Sequence, residues 1–234
     1  MEARAREFNA PARPPLEPPP QVAAPSALIL DQYARDLASS TPLVRMQASN
    51  RLRHAQAEGV KACLRVLENA VAAIAEPILR FLSSLDLQDI GAEHEAAVRA
   101  MAARNLKSPH APLRVAAAQL LCAAGPGTTR TDFLAAIVDP ERKVRWAVVR
   151  RFSEFASELE NAQLMVLVSF LADEKLNSAT RGDVHTLLLA VFEKLSRGLR
   201  PEGYDPYADP KLQRAAVAAW EAWARSVVIS TTPR

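Results

Sequence analysis

One recurring pattern limits what this chain can fold into more than any other feature. An arginine is followed three residues later by a small or apolar residue and seven later by a large apolar one. The pattern reads Arg45/Ala48/Leu52, Arg114/Ala117/Leu121, Arg145/Val148/Phe152 and Arg181/Val184/Leu188. Weaker copies start at Arg80 and Arg214, so successive starts are separated by 35, 34, 31, 36 and 33 residues. Offsets of three and seven fall on one face of an α-helix. A helical unit repeated at this interval predicts a stacked array, because a pair of short helices cannot bury its apolar faces alone. Pro42, Pro77, Pro112, Pro140 and Pro210 stand two to five residues ahead of five of these arginines. Proline suits a first helical turn, where its missing N–H would have no acceptor inside the helix.

Composition agrees with an all-α fold. Roughly one residue in five is alanine, whereas Gly totals 7 and aromatic residues 6 %, a balance that favours close-packed helices over a β-barrel. At 234 residues the chain can bury one large core. Cys63 and Cys122 are the two cysteines, too few for a disulfide scaffold or a four-Cys zinc site. The charge of +3, from 29 basic and 26 acidic residues, is far below the excess of a dedicated nucleic-acid binder.

The clearest copy runs Asp139-Pro140-Glu141-Arg142-Lys143-Val144-Arg145-Trp146-Ala147. This Asp-x-x-x-x-Val-Arg pattern, followed by small and apolar Ala147 and Val148, resembles the HEAT-like repeat, an antiparallel helix pair stacked into an α-solenoid. Ser108-x-x-x-Pro112-Leu-Arg114 and Pro42-Leu-Val-Arg45 are similar. The resemblance spans about residues 27 to 226 and is strongest over 108 to 152. It implies five to six stacked hairpins, with Asp139 and Arg145 linking neighbouring repeats; Ser39 and Ser108 stand where two other copies would carry the Asp. Helices are expected near 27–40, 42–57, 60–86 with a break at Pro77, 92–106, 110–124, 130–138, 140–158, 161–172, 178–197 and 210–227. The expected domains are a tail over 1–25, a repeat solenoid over 26–200 and a capping helix with its tail over 201–234. Gly203-Tyr204-Asp205-Pro206 followed by Trp220-x-x-Trp223 resembles endings of bacterial HEAT-repeat proteins. The tryptophans are read as the cover of the final repeat, with a ligand-stacking platform as the alternative.

Seven prolines between Pro11 and Pro25, with almost nothing to bury, predict a disordered tail biased to polyproline II. Pro11-x-x-Pro14 and Pro15-x-x-Pro18 fit the minimal spacing for docking into a partner's aromatic groove. Arg4 and Arg6 are not followed by the apolar stretch of about 7 to 15 residues of a secretory signal. The longest apolar runs fall far short of the roughly 20 residues that cross a bilayer. A cytoplasmic protein without a membrane role is expected.

A search for catalytic chemistry finds no template. His94-Glu95 is a single His-Glu pair, whereas the resembled family's di-iron hydroxylases use several, and His54, His110 and His185 lie in different repeats. No metal site and no cofactor are expected, and no catalytic residue is assigned. Arg142, Lys143, Arg145, Arg150 and Arg151 form one basic cluster, interrupted by Asp139, Glu141 and Glu154; Arg45, Arg51 and Arg53 form another. Two functions are weighed. The first is a non-enzymatic adaptor that binds a protein segment in its concave face, with Arg114, Arg145, Arg150 and Arg151 as contributors to a basic surface. The second is a nucleic-acid-binding solenoid resembling the HEAT-like DNA glycosylases and using the Arg142 to Arg151 cluster, although the aromatic-flanked catalytic Asp of those enzymes is not found.

Overall fold

A computed structural model describes residues 25–195 and 199–227. The proline-rich tail expected over 1–25 therefore lies outside the described residues, apart from Pro25. Eleven α-helices and five short 3₁₀ turns account for the regular structure among the described residues, and no strand occurs there. The helices are α1 Ala27–Asp36, α2 Pro42–His54, α3 Gln56–Glu68, α4 Ala72–Leu82, α5 Ala92–Asn105, α6 Ala111–Ala124, α7 Arg130–Ala135, α8 Arg142–Glu154, α9 Asn161–Leu171, α10 Ser178–Leu195 and α11 Arg214–Ser226. No helix among the described residues is long and apolar enough to cross a membrane.

Local chemistry sets the helix starts. Pro42 opens α2 and Pro112 lies in the first turn of α6, where proline removes no helical hydrogen bond. The Glu141 carboxylate accepts from the Lys143 N–H ahead of α8, and Glu160 with Gln163 forms a reciprocal capping box on α9. One expected boundary is corrected. The chain breaks at Asn69–Val71, not at Pro77, which lies inside α4. The missing Pro77 N–H costs α4 one hydrogen bond. Burial of Ala75, Ile78, Leu79, Phe81 and Leu82 along the same helix outweighs that loss.

Packing follows alternate elements. α4 packs on α6, α6 on α8 and α8 on α10; on the other side α1 packs on α3, α3 on α5, and α9 on α11. The C-terminal ends of two pairs of parallel-packed helices are tied side by side. Arg53 at the end of α2 donates to Ser84 Oγ just beyond α4 at 2.7 Å, and Lys194 of α10 donates to the Glu154 carbonyl at the end of α8 at 2.8 Å. The positions at offsets three and seven, Ala48/Leu52, Ala117/Leu121, Val148/Phe152 and Val184/Leu188, are all buried. Their stripe faces a single continuous core.

The arginine that starts each of these copies has a repeated local task. Arg45 donates through Nη1 to the carbonyls of Ser39 and Ser40 at 2.7 and 3.0 Å, Arg114 to Ser108 and Pro109 at 3.1 and 3.3 Å, and Arg145 to Asp139 and Pro140 at 2.8 and 3.1 Å. Arg181 does the same to Leu176. The residue six positions ahead completes the turn: Ser39, Ser108 and Asp139 side chains accept from the backbone N–H of Thr41, His110 and Glu141. Each of these four turns is thus closed by a guanidinium from the following helix, which satisfies carbonyls that the preceding structure leaves unpaired. Arg80 instead pairs with Glu76 on its own helix, and Arg214 is exposed, as befits the weaker copies.

Candidate functional site

The four arginines proposed for a basic surface separate into two pairs. Arg114 forms a two-bond ion pair with Asp139, Nε to Oδ2 at 2.8 Å and Nη2 to Oδ1 at 3.0 Å. That carboxylate raises the guanidinium pKa above its ordinary value, mainly through these hydrogen bonds. Arg145 is buried and reaches Asp183 on α10. Both therefore tie one helix–turn unit to the next. Asp139 and Arg145 each make such a link, but to different partners, because Asp139 receives Arg114 and Arg145 continues to Asp183.

Arg150 and Arg151 lie elsewhere, in a groove of about 910 Å³ lined mainly by α8 and the end of α6. The inward stripe of α8 contains Arg145, Val148 and Phe152, so Trp146 and Arg150, one turn apart, are left on the opposite face. Trp146 is 48 % exposed and Phe155, at the C-cap, 43 %. Each ring carries a guanidinium: Arg142 stands 5.7 Å from the Trp146 ring centroid, and Arg151 stacks 3.9 Å over Phe155. Cys122 from α6 and Thr186 from α10 complete the walls. Lys143, Arg150 and Arg151 oppose the single acid Glu154 there, so the groove is basic as well as aromatic.

Gly125 explains why Arg151 lies as it does. Its φ of +75° is a conformation in which an L side chain is strained, and a Cβ there would meet Arg151 Nη2 at 2.7 Å. The bare backbone leaves room for the guanidinium between the end of α6 and Phe155. Arg150 makes a long 3.6 Å contact with Glu154, both largely exposed, an arrangement worth little to stability.

Burial pushes the Cys122 thiol up, against the smaller opposing pull of Arg150 and Arg151. Cys63 is fully buried and its thiol is pushed up to about 12. Of the second basic group, Arg45 closes a turn, Arg53 bonds Ser84 and stands 5.5 Å from the Phe81 ring centroid, and Arg51 is exposed. The tryptophans Trp220 and Trp223 are buried in an aromatic cluster with His185, Phe192 and Tyr204. Among the described residues no group of three or more His, Cys, Asp and Glu side chains is placed to hold a metal ion.

Sequence reasoning singled out Arg150 and Arg151 and passed over Trp146 and Phe155. The missed signal was present: once the stripe faces inward, an aromatic residue one position after Arg145 must face outward.

No protein-family model matches the chain, and no curated protein matches it. Among solved structures it is similar to the crystal structure of an engineered protein, at 14 % identity and a TM-score of 0.45, over 85 % of this chain and 97 % of that one.

Proposed function

We propose that this chain is a non-enzymatic adaptor of the HEAT-like α-solenoid kind. In this reading five to six hairpins over 26–200 are stacked, 201–234 caps them, and the protein works in the cytoplasm. The single observation that carries a binding role is the groove: Trp146 and Phe155 stay half-exposed beside Arg150, Arg151 and Lys143. Large aromatics left in water on a rigid scaffold cost hydration free energy that a partner recovers, and aromatic and arginine side chains are the usual anchors of protein interfaces. The occupant best matched to paired rings and cations is an extended protein segment with apolar and acidic side chains. Supporting the solenoid reading are the alternate-helix packing and the recurring arginine-closed turns. Arg114 and Arg145 serve the stack in this reading, and Arg150 and Arg151 serve the partner.

Capture from cell extract with the full chain, at low and moderate salt, tests this. A stoichiometric protein retained by the native chain and lost by both Trp146→Ala and Arg150→Glu supports the adaptor. Nucleic acid that is captured without protein, and released at moderate salt, supports the nucleic-acid alternative instead, since phosphate contacts collapse with ionic strength. Equal capture by native and variant chains removes the groove from the function.

A further inference from the structure

We propose that the groove takes an extended partner segment laid across α6, α8 and α10, its main chain held by Gln119, Arg150 and Thr186 and one acidic side chain seated beside Trp146. This rests on the groove being a segment-binding surface, and it specifies how the segment lies and what it carries.

The repeat supplies the row of polar groups. Five residues after Arg45, Arg114, Arg145 and Arg181 stand Asn50, Gln119, Arg150 and Thr186. All four are polar and exposed. At about 100° per residue this offset points directly away from offsets three and seven, so the row runs over the back of the buried stripe. The weaker copy places Leu85 there and interrupts the row between Asn50 and Gln119. Gln119, Arg150 and Thr186 follow without a gap, because α6 packs on α8 and α8 on α10, and all three line the same groove.

Each rung offers what a peptide unit needs. The Gln119 amide has donors and an acceptor, with no partner among the described residues. The Thr186 hydroxyl donates to the Gly182 carbonyl at 2.8 Å, which leaves its oxygen to accept an N–H. Arg150 brings donors alone, and its 3.6 Å contact with Glu154 is too long for a hydrogen bond. Packed helices lie about 8–10 Å apart, which is about three residues of extended chain at about 3.3 Å each. About seven residues therefore cover the three rungs. A helical segment fits poorly, because its N–H and C=O groups are already paired and it docks through a continuous apolar stripe. The large apolar side chains exposed in the groove are Trp146 and Phe155, both on α8 or its cap.

Charge fixes the side chain at the centre. Lys143 and Arg150 stand three residues before and four after Trp146, beside it on one helix face. The cations lining the groove all belong to α8, whereas Gln119 and Thr186 on either side are neutral. One Asp or Glu over α8, next to an apolar side chain resting on the Trp146 ring, therefore meets its complement; acids further along the segment gain no partner. Leu16-Glu17 of this chain offers the same pair of side chains, but Pro14, Pro15, Pro18, Pro19 and Pro20 surround it. Proline has no N–H to give Thr186, three residues away from the acid in either direction. The row therefore selects a different protein's segment over residues 14–20 of this chain or of a second copy.

Panning a displayed library of random segments of about ten residues, long enough for the row, against the full chain tests this. The expected winners carry a single Asp or Glu next to an apolar residue. The best of them, as a synthetic peptide, should bind Gln119→Ala about three- to tenfold more weakly than the native chain, and Arg150→Glu at least about tenfold more weakly. Affinity for Arg150→Glu should return when the peptide's acid is replaced by Lys, and N-methylation of the amides flanking the acid should weaken binding to the native chain. Both variants are at exposed positions, and unchanged melting midpoints show that they report binding. No enrichment, winners without an acid, winners with the apolar spacing of a helix, or Gln119→Ala binding as tightly as the native chain each overturns the proposal. Tighter peptide binding by Glu17→Arg than by the native chain also overturns it and assigns the row to the chain's own segment. Displacement of the peptide by a short oligothymidylate at moderate salt overturns it in favour of nucleic acid. Capture from extract that is lost in Trp146→Ala yet kept in Gln119→Ala upholds the adaptor and rejects the row, so the two readings fail separately.

Discussion

Arg145 Nε lies 2.6 Å from Asp183 Oδ2, with side chains only 5 % and 14 % exposed. The same guanidinium bonds the Asp139 and Pro140 carbonyls, so one buried cation joins its own turn to α10. Desolvating two charges is costly, and removing one partner leaves the other stranded. Asp183→Ala is expected to destabilise the fold by about 3–5 kcal/mol in urea denaturation. Replacing both, as Arg145→Met with Asp183→Leu, should recover part of that loss; the lost turn hydrogen bonds prevent full recovery. A single-variant loss below about 0.5 kcal/mol would show that water reaches the pair.

Gly59 sits within α3 where α2 comes closest. A Cβ there would lie 2.2 Å from the Leu52 carbonyl oxygen, and that obstacle is backbone, unable to rotate away. Alanine gains about 1 kcal/mol of helix propensity over glycine, but forced overpacking costs about 1–3 kcal/mol or more. Gly59→Ala should therefore lower the melting midpoint. A rise would mean that α2 and α3 slide apart freely.

Val148 and Trp146, two positions apart, test the facing of α8. Val148 is fully buried whereas Trp146 borders the groove. An aspartate at 148 carries an unpaired charge into the core and is expected to unfold the chain or abolish its cooperative transition. An aspartate at 146 stays in water, and its melting midpoint should move by less than a few degrees, the equivalent of about 0.5 kcal/mol. Circular dichroism melts of both variants check the contrast; equal destabilisation would contradict the stripe.

His185 packs edge-on against Tyr204 and Trp220, with ring centroids 4.9 and 5.7 Å away. Burial, aided by the positive charge of Arg200, pushes its pKa below the ordinary histidine value. The unfolded chain, with a histidine pKa of about 6.5, then binds the proton more readily than the folded one. This contribution to stability is present in full above that pH, is lost as pH falls through it, and levels off below the folded-state pKa. Thermal melts across that window should fall more steeply for the native chain than for His185→Phe. Parallel curves would show that the ring stays neutral or accessible in both states.

The helical stack was legible largely because its signal is periodic. Residues at offsets three and seven from Arg45, Arg114, Arg145 and Arg181 are buried as the pattern requires, since a helix has only one face to give to a core. Pro77 misled because sequence shows the missing N–H but not the apolar burial of Ile78, Leu79 and Phe81 that compensates for it. Arg114 and Arg150 look alike in a sequence. One lies beside Asp139 and the other beside an open groove, a difference set by partners 25 residues away in the first case.

The sequence by itself determined the helical class and which face of α2, α6, α8 and α10 turns inward, because both follow from local periodicity. It also determined where a guanidinium recurs ahead of each buried stripe. Only the tertiary structure decided which arginines are consumed in closing turns and bridging helices, and that Trp146, Arg150 and Phe155 share one groove with Cys122 of α6. Burial and charge pairing depend on what approaches from a distant part of the chain, and no local pattern encodes that approach.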